Sequence, residues 1–241
     1  MAMTREICQT SAVNAVLFHM LFARIGAAAR RWFGESLPGT SDIEGFLVTF
    51  AEASRKVGRA PLEVEEHERA ELFALGASWP IGETWSVDDL ARALLLLRAA
   101  SRQSGPELVA LVEEAYRRSD SRERQAVLRA LPLLPGPERF AALAIDACRT
   151  HVQPVFEAIA CENPYPAAYF PSPNFNQLVL KAFFLGIAVD RIVGLGERRT
   201  PELSRMAADY ASERRAAGRA VPPDLDRALL HDAVAAMGDA S

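Results

Sequence analysis

Lys181 is the residue whose type and position most suggest chemistry. Among 27 basic residues only Lys56 and Lys181 are lysines, and Lys181 stands between Leu180 and Ala182 in an apolar stretch. A compact ammonium on a flexible stem suits a site that must reach one anion or carbonyl. The alternative is a lysine whose stem only covers apolar surface. The sequence leaves both interpretations open.

Aromatic and amide side chains are concentrated just before this lysine. Tyr165 and Tyr169 lie among four prolines, and Asn163 and Asn176 flank them. Proline restricts the unfolded chain, so we predict that 162–173 is ordered without regular structure and lies against the following helix. Aromatic walls with a few polar groups are typical of small-molecule pockets. The pattern favours one cleft shared by Tyr165, Tyr169, Asn176 and Lys181.

Each of these residues also has a structural interpretation. The tyrosines can be core aromatics whose hydroxyls bind backbone carbonyls. Asn163, before a proline, is typical of a helix exit. Asn174 and Gln177 form a polar pair that predicts a helix start at that point.

Three residues upstream are candidates for the same cleft. Arg149 and His151 can supply donors, and Glu157 is a carboxylate placed to neutralise them. In an enzyme, Lys181, Tyr165 or His151 would be the acid–base groups.

Metal and cofactor motifs are missing from the sequence. It has no phosphate-binding P-loop, no dinucleotide fingerprint and no H-E-x-x-H pair. Cys148, His151 and Cys161 are the nearest approach to a ligand set, but cysteines one helix apart are more typical of small buried apolar residues. We therefore predict no metal and no cofactor.

Composition indicates an ordinary globular protein. The 241 residues are 50% hydrophobic and 24% charged, with a formal charge of −4. That charge does not favour nucleic acid or an anionic membrane. The arginines of 198–219 alternate with acidic residues, a mixture that is typical of a solvated helix face. Three separated cysteines are typical of a reducing compartment, which predicts a cytoplasmic protein.

The apolar run over 12–29 is too polar to span a bilayer, since Asn14, His19 and Arg24 interrupt it. Its apolar residues recur at helical spacing, so we predict an amphipathic helix buried on one face by Val13, Val16, Leu17, Met20, Leu21 and Ile25.

The rest of the chain contains repeated helix-start signals. A hydroxyl cap followed three residues later by a carboxylate occurs at Ser41 and Ser86, and proline follows Thr200. Further starts are predicted at Pro106, Ser121, Pro137, after His151, and at Pro222–Asp224. We predict one all-α domain over 1–241, an irregular α-solenoid-like array of short antiparallel helical pairs of the HEAT type. An irregular helical bundle is the alternative.

Two long runs resemble one known family. They are ENPYPAAYFPSPNFNQLVLKAFFLGIAVDRIVGL and TPELSRMAADYASERRAAGRAVPPDL, preceded by ACRTHVQPVFEAIA. Over about 140–226 the chain is similar to the EboA family. The resemblance implies a small bacterial all-helical protein of the Ebo set, which is associated with moving a biosynthetic precursor from cytoplasm towards periplasm. It brings no catalytic residues.

The leading functional prediction is a non-enzymatic adaptor in metabolite traffic. It would bind a small hydrophobic or aromatic metabolite, or another Ebo-set protein. An enzyme acting on that metabolite and a pure protein–protein scaffold are the alternatives.

Overall fold

The computed structural model describes residues 2–36, 43–77, 79, 81 and 84–230, with side chains from residue 12 onwards. Twelve α-helices lie within these residues: α1 (Ala2–Arg24), α2 (Ala27–Glu35), α3 (Ile43–Val57), α4 (Glu66–Ala74), α5 (Val87–Ala100), α6 (Gly105–Arg118), α7 (Ser121–Ala130), α8 (Ala141–Ala147), α9 (Gln153–Ala160), α10 (Tyr165–Tyr169), α11 (Ser172–Leu185) and α12 (Pro201–Ala216). Short 3-10 helices occupy Leu131–Leu133, Pro137–Phe140, Val189–Arg191 and Leu225–Ala228. The described residues contain no strand beyond one isolated bridge between Pro61 and Ser86, so the all-α prediction is confirmed.

The described residues fall into two compact units, one ending at Glu162 and the other beginning at Asn163. The first unit holds α1–α9 and the second α10–α12. The prediction of a single domain stays a prediction.

Helix α5 is the centre of the first unit. Twelve of its residues are buried, including the run Leu94–Leu97. A helix that is buried on all sides must be enclosed by its neighbours, and α5 packs against α1, α3, α6 and α7. A central helix with several neighbours favours the bundle alternative for this unit, and the solenoid-like stacking is not confirmed.

The amphipathic prediction for the N-terminal helix is confirmed. Val13, Val16, Leu17, Met20 and Leu21 on α1 are buried, as is Ile25 just beyond it. Across the part of the chain that the structure describes, no helix combines the length and apolar character needed to cross a membrane.

Most predicted helix starts are confirmed. Ser86 and Asp89 form a reciprocal capping box at α5, and the Thr200 hydroxyl accepts a hydrogen bond from the Leu203 backbone at 3.1 Å. Asp120 provides the cap at α7. The starts at Pro137 and Pro222 lead into 3-10 turns, α8 beginning only at Ala141. The Ser41 cap lies outside the described residues.

The prediction that 162–173 lacks regular structure is wrong. Residues 165–169 form α10, and α11 already begins at Ser172. Pro166 and Pro173 occupy first-turn positions, where a missing N–H costs nothing and the fixed φ favours a helix. The polar pair at 174 and 177 therefore lies inside α11.

A partly buried ion pair joins two helices of the first unit. Arg24 of α1 makes two hydrogen bonds to the Glu68 carboxylate of α4, at 2.7 and 2.6 Å. Glu68 also accepts from the Glu65 backbone at 2.9 Å. Burial opposes ionisation of Glu68, but these hydrogen bonds outweigh it and hold the pKa of its carboxyl below the ordinary 4.5.

This pair predicts an acid-sensitive contribution to stability. A depressed pKa stabilises the fold above about pH 4.5, and the contribution disappears as pH falls through the lower folded value. Glu68→Gln keeps an acceptor for the Glu65 backbone but loses the charge. We expect it to lower the free energy of unfolding by about 2 kcal/mol at pH 7.

Urea denaturation at several pH values measures this difference. The deficit of Glu68→Gln relative to the unmodified protein should shrink below pH 4, where Glu68 itself becomes protonated. Glu66→Gln is the matched control, because Glu66 is exposed on the same helix. An equal loss in both variants would contradict a specific role for the pair.

Candidate functional site

The predicted site residues divide between the two units. Arg149, His151 and Glu157 belong to the first. His151 is exposed, and the Arg149 side chain is 79% exposed, 3.5 Å from Asp146. Glu157 accepts a hydrogen bond from Gln153 at 2.8 Å. Each has local contacts, and their part in a cleft stays a prediction.

The two tyrosines of the second unit do come together. The ring centroids of Tyr165 and Tyr169 are 4.9 Å apart, and Phe170 stands edge-on to Tyr165 at 6.3 Å. Tyr165 has no exposed surface, whereas Tyr169 is partly exposed. The cluster anchors α10 in the unit, and only Tyr169 presents surface to solvent.

The two asparagines are both buried, at 3% exposure each. The Asn163 Oδ1 accepts from the Tyr165 backbone N–H at 3.0 Å, so Asn163 initiates α10. The Asn176 Oδ1 has no hydrogen-bond partner among the described residues. A buried amide oxygen without a hydrogen bond is energetically costly, so Asn176, unlike Asn163, has no evident structural role for its side-chain oxygen.

Lys181 is half-buried on α11. Five residues along a helix correspond to about 140° around its axis, so α11 does not present Lys181 and Asn176 on one face. Of the four side chains predicted to share a cleft, the structure brings together the two tyrosines.

An arginine that we interpreted as part of a solvated face holds this region together. Arg198 donates to the Phe170 carbonyl at 2.8 Å and also to the Ala167 carbonyl. Its guanidinium carbon lies 4.8 Å from the Phe175 ring centroid. One side chain thus binds the end of α10 and the first turns of α11. Arginine's planar fork permits both contacts at once.

Gly194 makes a second close contact with α10. Its φ is +75°, and a Cβ placed on it would lie 2.6 Å from the Cβ of Ala167. Only glycine fits there. These two contacts explain much of the segment 163–173, which we call the proline–tyrosine motif, as a packing device.

A groove lies at the other end of α11. We call it the aromatic groove, with a volume of about 730 Å³. None of the eight predicted residues lines it. Its walls are the end of α11, the turn after it, the last turn of α12 and the chain beyond α12: Phe183, Phe184, Leu185, Gly186, Ile187, Ala188, Asp190, Arg214, Ala220, Val221, Pro222, Pro223 and Asp224.

The groove depends on a sharp helix end. Gly186 adopts φ +68° and terminates α11, so Phe184 and Leu185 stand at its edge. Phe184 is 68% exposed and meets Tyr210 of α12 edge-on at 4.8 Å. An exposed phenyl ring held by a neighbouring aromatic is a preformed apolar contact surface.

Charged groups at the groove are held by the backbone. Arg214 donates to the Ala220 carbonyl at 2.8 Å, and Asp224 accepts from the Val189 N–H at 2.6 Å. Among the described residues no group of three or more His, Cys, Asp or Glu side chains is placed to hold a metal ion. The arrangement can bind an apolar molecule and orient a polar substituent on it.

The described residues thus form an all-α fold in which an apolar groove is edged by a few polar groups that the backbone holds in place. The chain belongs to the EboA family: the model described as metabolite traffic protein EboA matches residues 13–230. The match is longer than the resemblance over 140–226 and includes the first unit from α1 onwards. Curated proteins and solved structures gave no match to the chain.

The close approach at Gly194 predicts a selective loss of stability. Gly194→Ala must push α10 away and adopt a strained φ, so we expect a loss of about 2 kcal/mol or more in the free energy of unfolding. Gly196→Ala is the matched control, because nothing lies within 4 Å of a Cβ at Gly196. Thermal unfolding of both variants measures the difference, and a drop of similar size in both would contradict the packing argument.

Proposed function

We propose that this EboA-family protein takes part in bacterial metabolite traffic by binding a small hydrophobic or aromatic metabolite in the aromatic groove. In this proposal it accompanies a biosynthetic precursor from the cytoplasm towards the periplasm and acts with other Ebo-set proteins. The family membership supports the general role, and the groove supports the binding step.

The proposal is based on the volume and the apolar lining of the aromatic groove. A volume of about 730 Å³ lies in the range of small-molecule sites. The wall formed by Phe183, Phe184, Leu185 and Ile187 provides apolar contact for a ring or chain. Burying the exposed face of Phe184 against a ligand removes apolar surface from water, which is favourable.

The charged groups of the aromatic groove can orient a bound molecule. Arg214 is held by the Ala220 carbonyl at 2.8 Å and lies 5.9 Å from the Tyr210 ring, so its guanidinium is restrained before a ligand arrives. Restrained donors lower the entropic cost of binding. A hydroxyl or carbonyl on the metabolite is the expected partner.

The proline–tyrosine motif supports the groove indirectly. Arg198 and Gly194 secure α10 and the start of α11, and the other end of α11 carries Phe183 and Phe184. We infer that the motif positions α11. Lys181, in the second half of α11, remains the proposed polar contact for the metabolite or its partner.

The observations favour binding over catalysis. Tyr165, a candidate acid–base group of the enzyme alternative, is completely buried in an aromatic cluster, and His151 is exposed. A scaffold without a ligand would use Phe184 and Leu185 as a protein contact instead, and the experiments below separate the two.

Phe184→Ser tests the groove directly. Phe184 is 68% exposed, so folding should be nearly unaffected, while an apolar ligand loses its main ring contact. We expect the affinity for the uncharged fluorophore N-phenylnaphthylamine to fall about tenfold, as loss of one buried aromatic contact predicts. Fluorescence titration measures it.

Phe73→Ser is the matched control, since Phe73 is a phenylalanine of the first unit with 69% exposure. It should leave fluorophore binding unchanged. If the unmodified protein does not bind the fluorophore saturably, or both variants lose affinity equally, groove binding is wrong. Retained fluorophore binding with lost export in cells would point to a docking role for Phe184.

Lys181→Ala tests the lysine. A half-buried lysine contributes little to folding, so the melting temperature should change by only a few degrees. Export of the metabolite in cells should be abolished if the ammonium is used. Lys56→Ala, at an exposed position of α3, is the control that should export normally. Normal export by Lys181→Ala would remove this residue from the proposed mechanism.

A further inference from the structure

A network of buried charges lies at the start of α5 in the first unit. Asp88, Asp89 and Arg92 are exposed by 1%, 5% and 2% respectively. Arg92 pairs with Asp88 at 2.6 Å, and Arg129 of α7 pairs with Asp89 at 2.6 Å. Buried charges persist only when they are paired and hydrogen-bonded.

A cavity of about 340 Å³ opens beside this network. We call it the arginine cavity. Its charged lining residues are Arg59, Arg122, Arg129 and Asp89. Trp85 forms an aromatic part of the wall, and Gln125 adds an amide. Among the described lining residues, three guanidinium groups therefore face one carboxylate.

The one carboxylate is already engaged. Asp89 accepts from the Ser86 hydroxyl and backbone N–H, both at 2.9 Å, as well as from Arg129. Its oxygen Oδ2 makes all three contacts. The single negative charge of Asp89 is therefore matched by Arg129, and it does not also neutralise the other two arginines.

Within the described residues, the side chains of Arg59 and Arg122 make only long polar contacts. Arg59 donates to the Ser54 hydroxyl at 3.3 Å. Arg122 lies 3.8 Å from Asp88, whose other oxygen is held by Arg92, and its side chain is 49% exposed. Both guanidinium groups can turn toward an incoming anion without breaking a short ion pair.

Arg129 is the most buried of the three arginines that line the cavity. Its side chain is 13% exposed, and its Nε is buried without a hydrogen-bond partner among the described residues. Burial lowers the pKa of Arg129, which the charge of Asp89 only partly offsets. Arg129 therefore adds a third guanidinium group to the lining of the cavity.

We propose that the arginine cavity binds the carboxylate or phosphate group of a small metabolite, with Arg59 and Arg122 as its ligands and the rest of the molecule against Trp85. Guanidinium groups bind such oxyanions with paired hydrogen bonds, and an indole face suits an organic substituent. The proposal concerns the first unit alone and does not depend on the aromatic groove.

Calorimetric titration of the full chain with phenyl phosphate, benzoate and inorganic phosphate tests this. We expect saturable binding of at least one aromatic anion, and Arg59→Gln and Arg122→Gln should each weaken it about tenfold, the effect of losing one charged hydrogen bond. Tighter binding of phenyl phosphate than of benzoate would assign a phosphate, and the reverse order a carboxylate. If the ligand quenches tryptophan fluorescence and this quenching is lost in Trp85→Phe, the aromatic ring of the ligand lies against Trp85.

Two controls make the result specific. Arg117→Gln removes an exposed arginine that pairs with Glu114 in the same unit, and it should bind as the unmodified protein does. Phe184→Ser should also retain anion binding, which separates this site from the groove. No saturable binding of any of the three anions, or an equal loss in Arg117→Gln, would overturn the proposal.

Discussion

The first unit depends on neutralising the charges at the start of α5. This helix is buried along almost its whole length, yet its first turns carry Asp88, Asp89 and Arg92. A buried ion without a partner costs several kcal/mol, so α5 can occupy the core only because Arg92 and Arg129 meet the two aspartates at 2.6 Å. The same requirement places Arg129 of α7 beside α5. The arginine cavity therefore lies where the start of α5 packs against α7.

The second unit is organised around α11 and is held at both ends of that helix. At its start, Arg198 binds backbone carbonyls at the end of α10 and packs on Phe175. At its end, Gly186 stops the helix and leaves Phe184 exposed against Tyr210. The proline–tyrosine motif and the aromatic groove therefore have different roles: the motif holds the start of α11, and the groove is formed at the opposite end of the same helix.

Local signals in the sequence predicted the helices well, whereas contacts between distant residues left no local signal. The capping box at Ser86 and the cap at Thr200 were readable because their partners lie within three residues. The helix at 165–169 was missed because prolines were interpreted as loop formers, although proline at the first turn favours a helix. Arg198 was taken for a surface residue because its carbonyl partners lie 28 and 31 positions away.

By itself the sequence determined the all-helical class, the amphipathic face of α1, the caps of α5 and α12, and the resemblance to the EboA family that the match over 13–230 confirmed. These properties follow from periodicity, from contacts within one helical turn, or from long similar runs. Only the tertiary structure decided which charges are buried together, which glycine permits close packing, and where the cavities lie. Those features join residues tens of positions apart, and nothing in local spacing encodes which distant side chains will meet when apolar helices pack against each other.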